Sequence, residues 1–411
     1  MKKTSPGQLS PASTKLRNRR DPMHSLPAPL TVTILSVCGL AACLGRASFS
    51  TSCQKSSAGI TTTHVAFASL SRKSPAKHNI AIIVDTTHIF GHKNGQSWSS
   101  SLSDALAGAR TLLAGLSPCR ANESTCHTRR DGNARDAVDV VSLFTFPNVE
   151  TVENEYSCGK DAAEALPYTF PSPAATSLSP IAVTYRSRKQ LGTLPEAPMT
   201  VQATYQITPY SNDYRTSNSN TALSLDSKLV RSLGGKQGCP GLQAPGGEST
   251  FYAGAIYAAQ VSLLAEQAAR PGSQNVIILI TDGDANARGA QLHPSATDSG
   301  NYPSWVNECG QAITAARDAT RAGTRVYSVA NWAQSAGCET DVSGGYKGYS
   351  PCQTMKEIAS SPEYFFSNYP PDSDTPCTSA AHPDLDLTQI FTQIAKSITP
   401  YRSVTKQRRK T

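Results

Sequence analysis

Three short stretches of this chain carry oxygen donors of the kind that hold a hard cation: Asp85-Thr86-Thr87-His88-Ile89, Gly246-Gly247-Glu248-Ser249-Thr250 and Thr281-Asp282-Gly283-Asp284. Carboxylates and hydroxyls suit Mg2+ and Ca2+, which take oxygen ligands almost exclusively. A zinc site would need Cys or His at close spacing, and no CxxC pair or Cys/His cluster of that kind occurs. The chain also lacks a GxSxG elbow, an HExxH helix, a P-loop and a dinucleotide fingerprint. These residues therefore point to cation binding rather than catalysis, and no enzymatic activity is expected. A metal-assisted hydrolase built on Asp85, Asp282 and Asp284 is the enzymatic alternative, but it has no evident general base of His or Glu type beside the acids. Asp282-Gly283-Asp284-Ala285-Asn286 opens like a calcium loop, yet Ala287 and His293 stand where that loop needs Gly and Glu, so Asp284 and Asn286 read as turn residues or rim contacts.

What must position these residues is legible in the hydrophobic pattern. Asn79 to Val84 is a continuous β-branched run ending at Asp85, the pattern of a strand buried on both faces of a parallel sheet. Leu102, Leu106, Ala109, Leu112, Leu113 and Leu116 then recur at helical spacing, with Gly115 and Pro118 at the exit. Strands are expected at Ala137 to Phe146, Asn275 to Thr281 and Arg325 to Ala330, and helices over 251–268, 310–322 and 387–398. Such alternation predicts an α/β fold with a doubly wound, mostly parallel sheet. In such sheets ligands bind beyond the carboxyl ends of the strands, where all three polar stretches fall. Two segments break the rhythm, 147–248 and 333–380, and read as loop-rich insertions; within the first, Val201 to Ile207 alternates like a strand of a small separate β layer.

On these residues the chain resembles the von Willebrand factor type A (vWA) family, whose metal-ion-dependent adhesion site is written Asp-x-Ser/Thr-x-Ser, then a Thr, then an Asp. The positions that match are Asp85, Thr87, Thr250 and Asp282. The resemblance spans roughly residues 77–398, and Asp85-Thr86-Thr87, Ser142 to Pro147 and Ala359 to Phe365 are similar to TadG-like proteins of tight-adherence (Tad/Flp) pilus systems. It implies a Rossmann-like vWA domain over 77–400, with the two insertions, holding Mg2+ or Ca2+ through Asp85, Thr87 and Thr250 directly and Asp282 through water. A protein partner, such as a pilus or envelope component, would complete the shell with a carboxylate, and His88, Ser249 and Asp284 would form the rim. One position departs from the pattern: Ile89 stands where the family has Ser, which weakens the expected cation site. The function implied is a non-catalytic adhesion or protein-binding scaffold, with a metal-free structural component of a surface complex as the alternative.

Charge and cysteines place the protein. Of the net charge of +8, residues 1–20 carry six basic residues and 402–411 carry five, with no acid in either stretch, so the body is slightly acidic and offers no groove for nucleic acid. Segment 1–44 joins a basic stretch to an apolar run, Ala28 to Leu44, shorter and more hydroxylated than a comfortable spanning helix. It reads as an export signal or signal-anchor, and Leu40-Ala41-Ala42-Cys43 resembles a bacterial lipobox with Cys43 as the lipidated residue. A linker and leading strand are expected over 45–76, and a basic tail over 401–411. Eleven cysteines favour an oxidising compartment: Cys119, Cys126, Cys158, Cys239, Cys309, Cys338, Cys352 and Cys377 in the body allow four disulfides, of which Cys119–Cys126 is expected because it closes a short loop. The expected location is the outside of a bacterial membrane, attached by lipid or helix.

Overall fold

The computed structural model describes residues 76–87, 98–120, 126, 137–151, 158, 166–186, 197–243, 249–287, 289–292, 295–369 and 377–399. All belong to the second of two units into which the chain divides, Met1–Arg72 and Lys73–Thr411. The N-terminal segment with Cys43, the leading strand, His88, Ile89, Gly246 to Glu248 and the basic tail lie outside the described residues.

In chain order the elements are β1 (His78–Asp85), α1 (Trp98–Gly115), β2 (Asp139–Glu150), β3 (Ile181–Tyr185), β4 (Met199–Ser211), α2 (Lys228–Ser232), α3 (Ala253–Ala269), β5 (Gln274–Thr281), α4 (Gly289–Leu292), α5 (Glu308–Arg321), β6 (Arg325–Asn331), α6 (Pro351–Ile358), β7 (Phe365–Asn368) and α7 (Leu387–Ile398). The strands form one seven-stranded sheet in the order β3-β4-β2-β1-β5-β6-β7. From β2 to β7 neighbours run parallel, while β4 is antiparallel to β2 and β3 to β4. The architecture is thus mixed α/β with a mostly parallel sheet.

The continuous apolar strands follow from helices on both faces. Side chains alternate along a strand, so Ala81 and Ile83 of β1 join Phe144, Ile277 and Leu279 beneath α3 and α5. Ile80, Ile82 and Val84 join Val141, Leu143, Ile278 and Ile280 beneath α1 and α7. Helix α7 starts with a capping box: Asp386 accepts the Gln389 N–H at 2.7 Å, and the Gln389 side chain accepts the Asp386 N–H at 3.0 Å. It then packs Ile390, Phe391, Ile394 and Ile398 inward, and Phe391 lies so close to Gly108 of α1 that a side chain there would overlap its ring.

Two features differ from the expectation. Residues around Val201 to Ile207 do not form a separate layer. They belong to β4, which hydrogen-bonds to β2 and widens the main sheet. Segment 333–380 is not only loop, since it contributes α6 and the edge strand β7, paired with β6 from Ser328↔Phe365 to Asn331↔Asn368. Both strands are short in pattern or interrupted by irregular register, and their pairing is long-range, which a period-two reading does not capture.

All eight body cysteines are paired: Cys119–Cys126, as the short loop predicts, with Cys158–Cys239, Cys309–Cys338 and Cys352–Cys377. Four disulfides indicate an extracytoplasmic location. Among the described residues no helix is long and apolar enough to cross a membrane.

Candidate functional site

Strand β1 delivers Asp85 to the carboxyl edge of the sheet, where the chain leaves the ladder and the next two threonines alternate. Thr86 turns toward β2, bonding Thr145 Oγ1 at 2.9 Å and donating to the Phe146 carbonyl at 2.9 Å. Thr87 turns back to Asp85, donating to Oδ1 from its backbone N–H at 2.8 Å and from its hydroxyl at 2.7 Å. Thr281, the last residue of β5, donates its hydroxyl to Asp85 Oδ2 at 2.6 Å. A short polar side chain folded against its own backbone in this way is common for Asp and Thr at strand ends.

Thr250 joins from a distant loop. Its hydroxyl lies 2.8 Å from that of Thr87. Because the single Thr87 hydroxyl proton is given to Asp85, Thr250 is the donor in this contact. The loop holding Thr250 is stitched to the one after β5: Thr250 N–H donates to Asn286 Oδ1 at 3.0 Å, and the Thr250 carbonyl accepts the Asn286 N–H at 2.9 Å and the Ala287 N–H at 3.1 Å. Asp282, at the start of that loop, accepts the Asp284 N–H at 3.1 Å.

The four residues are buried: Asp85 1 %, Thr87 2 %, Thr250 1 % and Asp282 8 % exposed. Burial lifts the Asp85 carboxyl to about 7, against the opposing pull of the Thr281 and Thr87 hydrogen bonds. Asp282 is lifted well above the carboxylate range, first by burial and then by the charge of Asp85. Removing water and placing two acids near one another both disfavour the second negative charge. A cation reverses that balance. The donors are two carboxylates and two hydroxyls, an all-oxygen set that fits Mg2+ or Ca2+ and does not fit metals that favour sulfur or imidazole.

Of the residues expected at the rim, Asp284 and Ser249 are described, and both make hydrogen bonds within the protein. Asp284 Oδ1 accepts the Cys338 N–H at 2.6 Å and its Oδ2 accepts from Asn286 Nδ2 at 3.0 Å, so it ties the loop after β5 to a distant segment as well as to its own turn. Ser249 is buried, and its carbonyl accepts the Tyr168 hydroxyl at 2.7 Å. Asp284, Cys309 and Cys338 place ligand atoms within 4.8 Å of one another, but the two sulfurs are bonded to each other and offer no thiolate. Thr281 stands in one of the polar stretches of the sequence without a role given to it there, and the residues that sequence reasoning missed are Tyr168 and Tyr252. Tyr168 also accepts the Phe251 N–H at 3.1 Å, and Tyr252 donates to the Gly283 carbonyl at 3.0 Å, so two buried rings hold the loops of Thr250 and Asp282. The role of Thr281 could have been found from its place beside Asp282; nothing in the sequence around Tyr168 marks it.

No family model matches the chain, and no curated protein matches it. Among solved structures it is similar to the pilus adhesin SpaC from Lactobacillus rhamnosus GG in its open conformation, at 13% identity over 79% of this chain and 30% of that chain, with a TM-score of 0.37. Another form of the same adhesin gives 13% identity over 80% of this chain and 31% of that one, with a TM-score of 0.41. Proximal thread matrix protein 1 from the mussel byssus gives 9% identity over 79% and 48%, with a TM-score of 0.33. The chain therefore spans under half the length of each of these proteins.

Proposed function

We propose that Asp85, Thr87, Thr250 and Asp282 form a divalent-cation site on a vWA-like domain, and that the protein is a non-catalytic, extracytoplasmic adhesion or protein-binding scaffold of a bacterial envelope or Tad/Flp-type pilus assembly. The observation that carries the reading is the hydrogen-bonded chain Thr250–Thr87–Asp85, which gathers donors from two remote loops beside a second buried acid. Mg2+ or Ca2+ bound there would be approached by a carboxylate of the partner protein. Attachment to the membrane would come from segment 1–44, by lipid on Cys43 or by the apolar run itself.

The metal-free scaffold is the second reading, and one observation favours it: both carboxylate oxygens of Asp85 already accept hydrogen bonds from protein groups. Calorimetric titration of the full chain with MgCl2 and CaCl2, repeated on Asp85→Ala, separates the two. Saturable binding lost in the variant, together with cell or matrix adhesion that EDTA abolishes, is the expected result. Absence of heat with either cation leaves the scaffold, and turnover of a substrate in the loaded protein would overturn both.

A further inference from the structure

Among the described residues, strand β3 ends the sheet on the side away from β7 and has one neighbour, β4. The phase of that ladder follows from a bond on the far side of β4. Thr151 N–H donates to the Gln202 carbonyl at 2.9 Å, so the backbone groups of Gln202 face β2. Those of Val201 and Ala203 then face β3, because successive residues of a strand point their amides to opposite sides. Their register partners are Val183 and Ile181, and Tyr185 pairs likewise with Met199. The N–H and C=O groups of Ala182 and Thr184 accordingly point outward, and among the described residues no backbone hydrogen bond reaches them.

Side-chain placement adds to this. Ile181, Val183 and Tyr185 share one face of the β3–β4 ribbon with their partners Ala203, Val201 and Met199, all apolar, while Ala182, Thr184, Thr200 and Gln202 share the other. On the apolar face Ile181 is 38 % and Met199 42 % exposed. No charge interrupts Ile181 to Tyr185, although charged residues, prolines and bulges are the usual means of blunting a sheet edge.

We propose that β3 is a homotypic edge: two copies of this chain pair antiparallel along it, about a twofold axis at Val183, to make one continuous sheet. In that register Ala182 and Thr184 of one copy exchange hydrogen bonds with Thr184 and Ala182 of the other, which satisfies all the outward groups. Val183 faces Val183, and Ile181 faces Tyr185, giving β-branched and aliphatic–aromatic pairs on an apolar face now twice as wide. Charge agrees with a second copy as the occupant, since Arg186 falls opposite Pro180 and no like charges meet. An isologous contact of this kind closes on itself and yields a dimer rather than a fibre. The proposal is independent of the cation site.

Cross-linking reads the register directly. Residues facing each other in a non-hydrogen-bonded antiparallel pair have Cα atoms about 4.5 Å apart, inside the span of about 4.4–6.8 Å that a disulfide bridges. In the full chain, held in mild detergent, Val183→Cys is expected to give a covalent dimer on a non-reducing gel, whereas Thr184→Cys, facing Ala182, gives none. Sedimentation equilibrium of the unaltered protein should report twice the chain mass, and Ala182→Pro, which removes an outward donor without touching the β4 ladder, should return it to the monomer. A circular dichroism spectrum matching the parent shows that the proline variant has folded. A monomer at all concentrations, no cross-link from Val183→Cys, or equal cross-linking at 183 and 184 overturns the proposal, and pairing with a foreign strand alone would do the same.

Discussion

Thr87 and Thr250 stand 163 positions apart in the chain, yet their hydroxyl oxygens are 2.8 Å apart and relay a hydrogen bond to Asp85. The arrangement depends on the Asn286 clamp on Thr250 as much as on the threonines, because that clamp ties the loop before α3 to the loop after β5.

Replacing Thr250 by Val keeps the side-chain volume and removes the donor to Thr87. Cation affinity is expected to drop by about 1–1.5 kcal/mol, roughly tenfold, with little change in fold. The reverse change at the departing motif position, Ile89→Ser, should tighten binding by about 1–2 kcal/mol if an oxygen ligand is regained. Calorimetry on the two variants checks both, and equal affinities across the set would remove the site.

Glu308 predicts an unusual pH dependence. Its side chain is fully buried at the start of α5, Oε2 accepts the Ala287 N–H at 2.7 Å, and Oε1 is buried with no hydrogen-bond partner among the described residues. Burial, aided by Asp341 and Asp284, lifts the carboxyl from 4.5 to about 9. The folded state therefore keeps a proton that the unfolded chain loses, so the contribution of Glu308 is whole below pH 4.5 and declines as pH rises toward about 9. Glu308→Gln should flatten that decline. Urea melts at about pH 5 and about pH 8 measure the slope, and identical slopes in parent and variant would refute the assignment.

Disulfide removal should follow loop length. Cys158–Cys239 closes a separation of 81 residues and Cys119–Cys126 one of 7. On the chain-entropy account, Cys→Ser pairs cost about 4–5 kcal/mol for the first and about 2 kcal/mol for the second. Thermal melts of the two double variants rank them, and the opposite order would show that the short loop carries contacts beyond the cross-link.

Gly108→Ala runs against helix propensity. A glycine in a helix interior normally gains about 1 kcal/mol on replacement by Ala. Here the new Cβ would overlap the buried ring of Phe391, and overpacking of this kind costs about 1–3 kcal/mol. A variant more stable than the parent would mean that α7 shifts away from α1 at no cost.

Much of this was written in local pattern. The buried strands β1, β5 and β6, the helices α3, α5 and α7, and the positions of Asp85 and Asp282 at strand ends all follow from runs of apolar residues and the polar residues that terminate them. So does the expectation of an oxidising compartment, from the number of cysteines, eight of them in the body, and the short loop between Cys119 and Cys126. These properties depend on residues near one another in the chain, where periodicity and spacing carry the information. Only the tertiary structure decided that Thr86 turns away while Thr87 turns in, that Thr281 donates to Asp85, and that Tyr168 and Tyr252 brace the loops. It also placed β4 in the main sheet and made β3 the outermost of the described strands on that side. Strand partners, disulfide partners beyond the shortest loop and the direction of one hydroxyl are set by contacts across scores of residues, and those are chosen by the packing of the whole sheet.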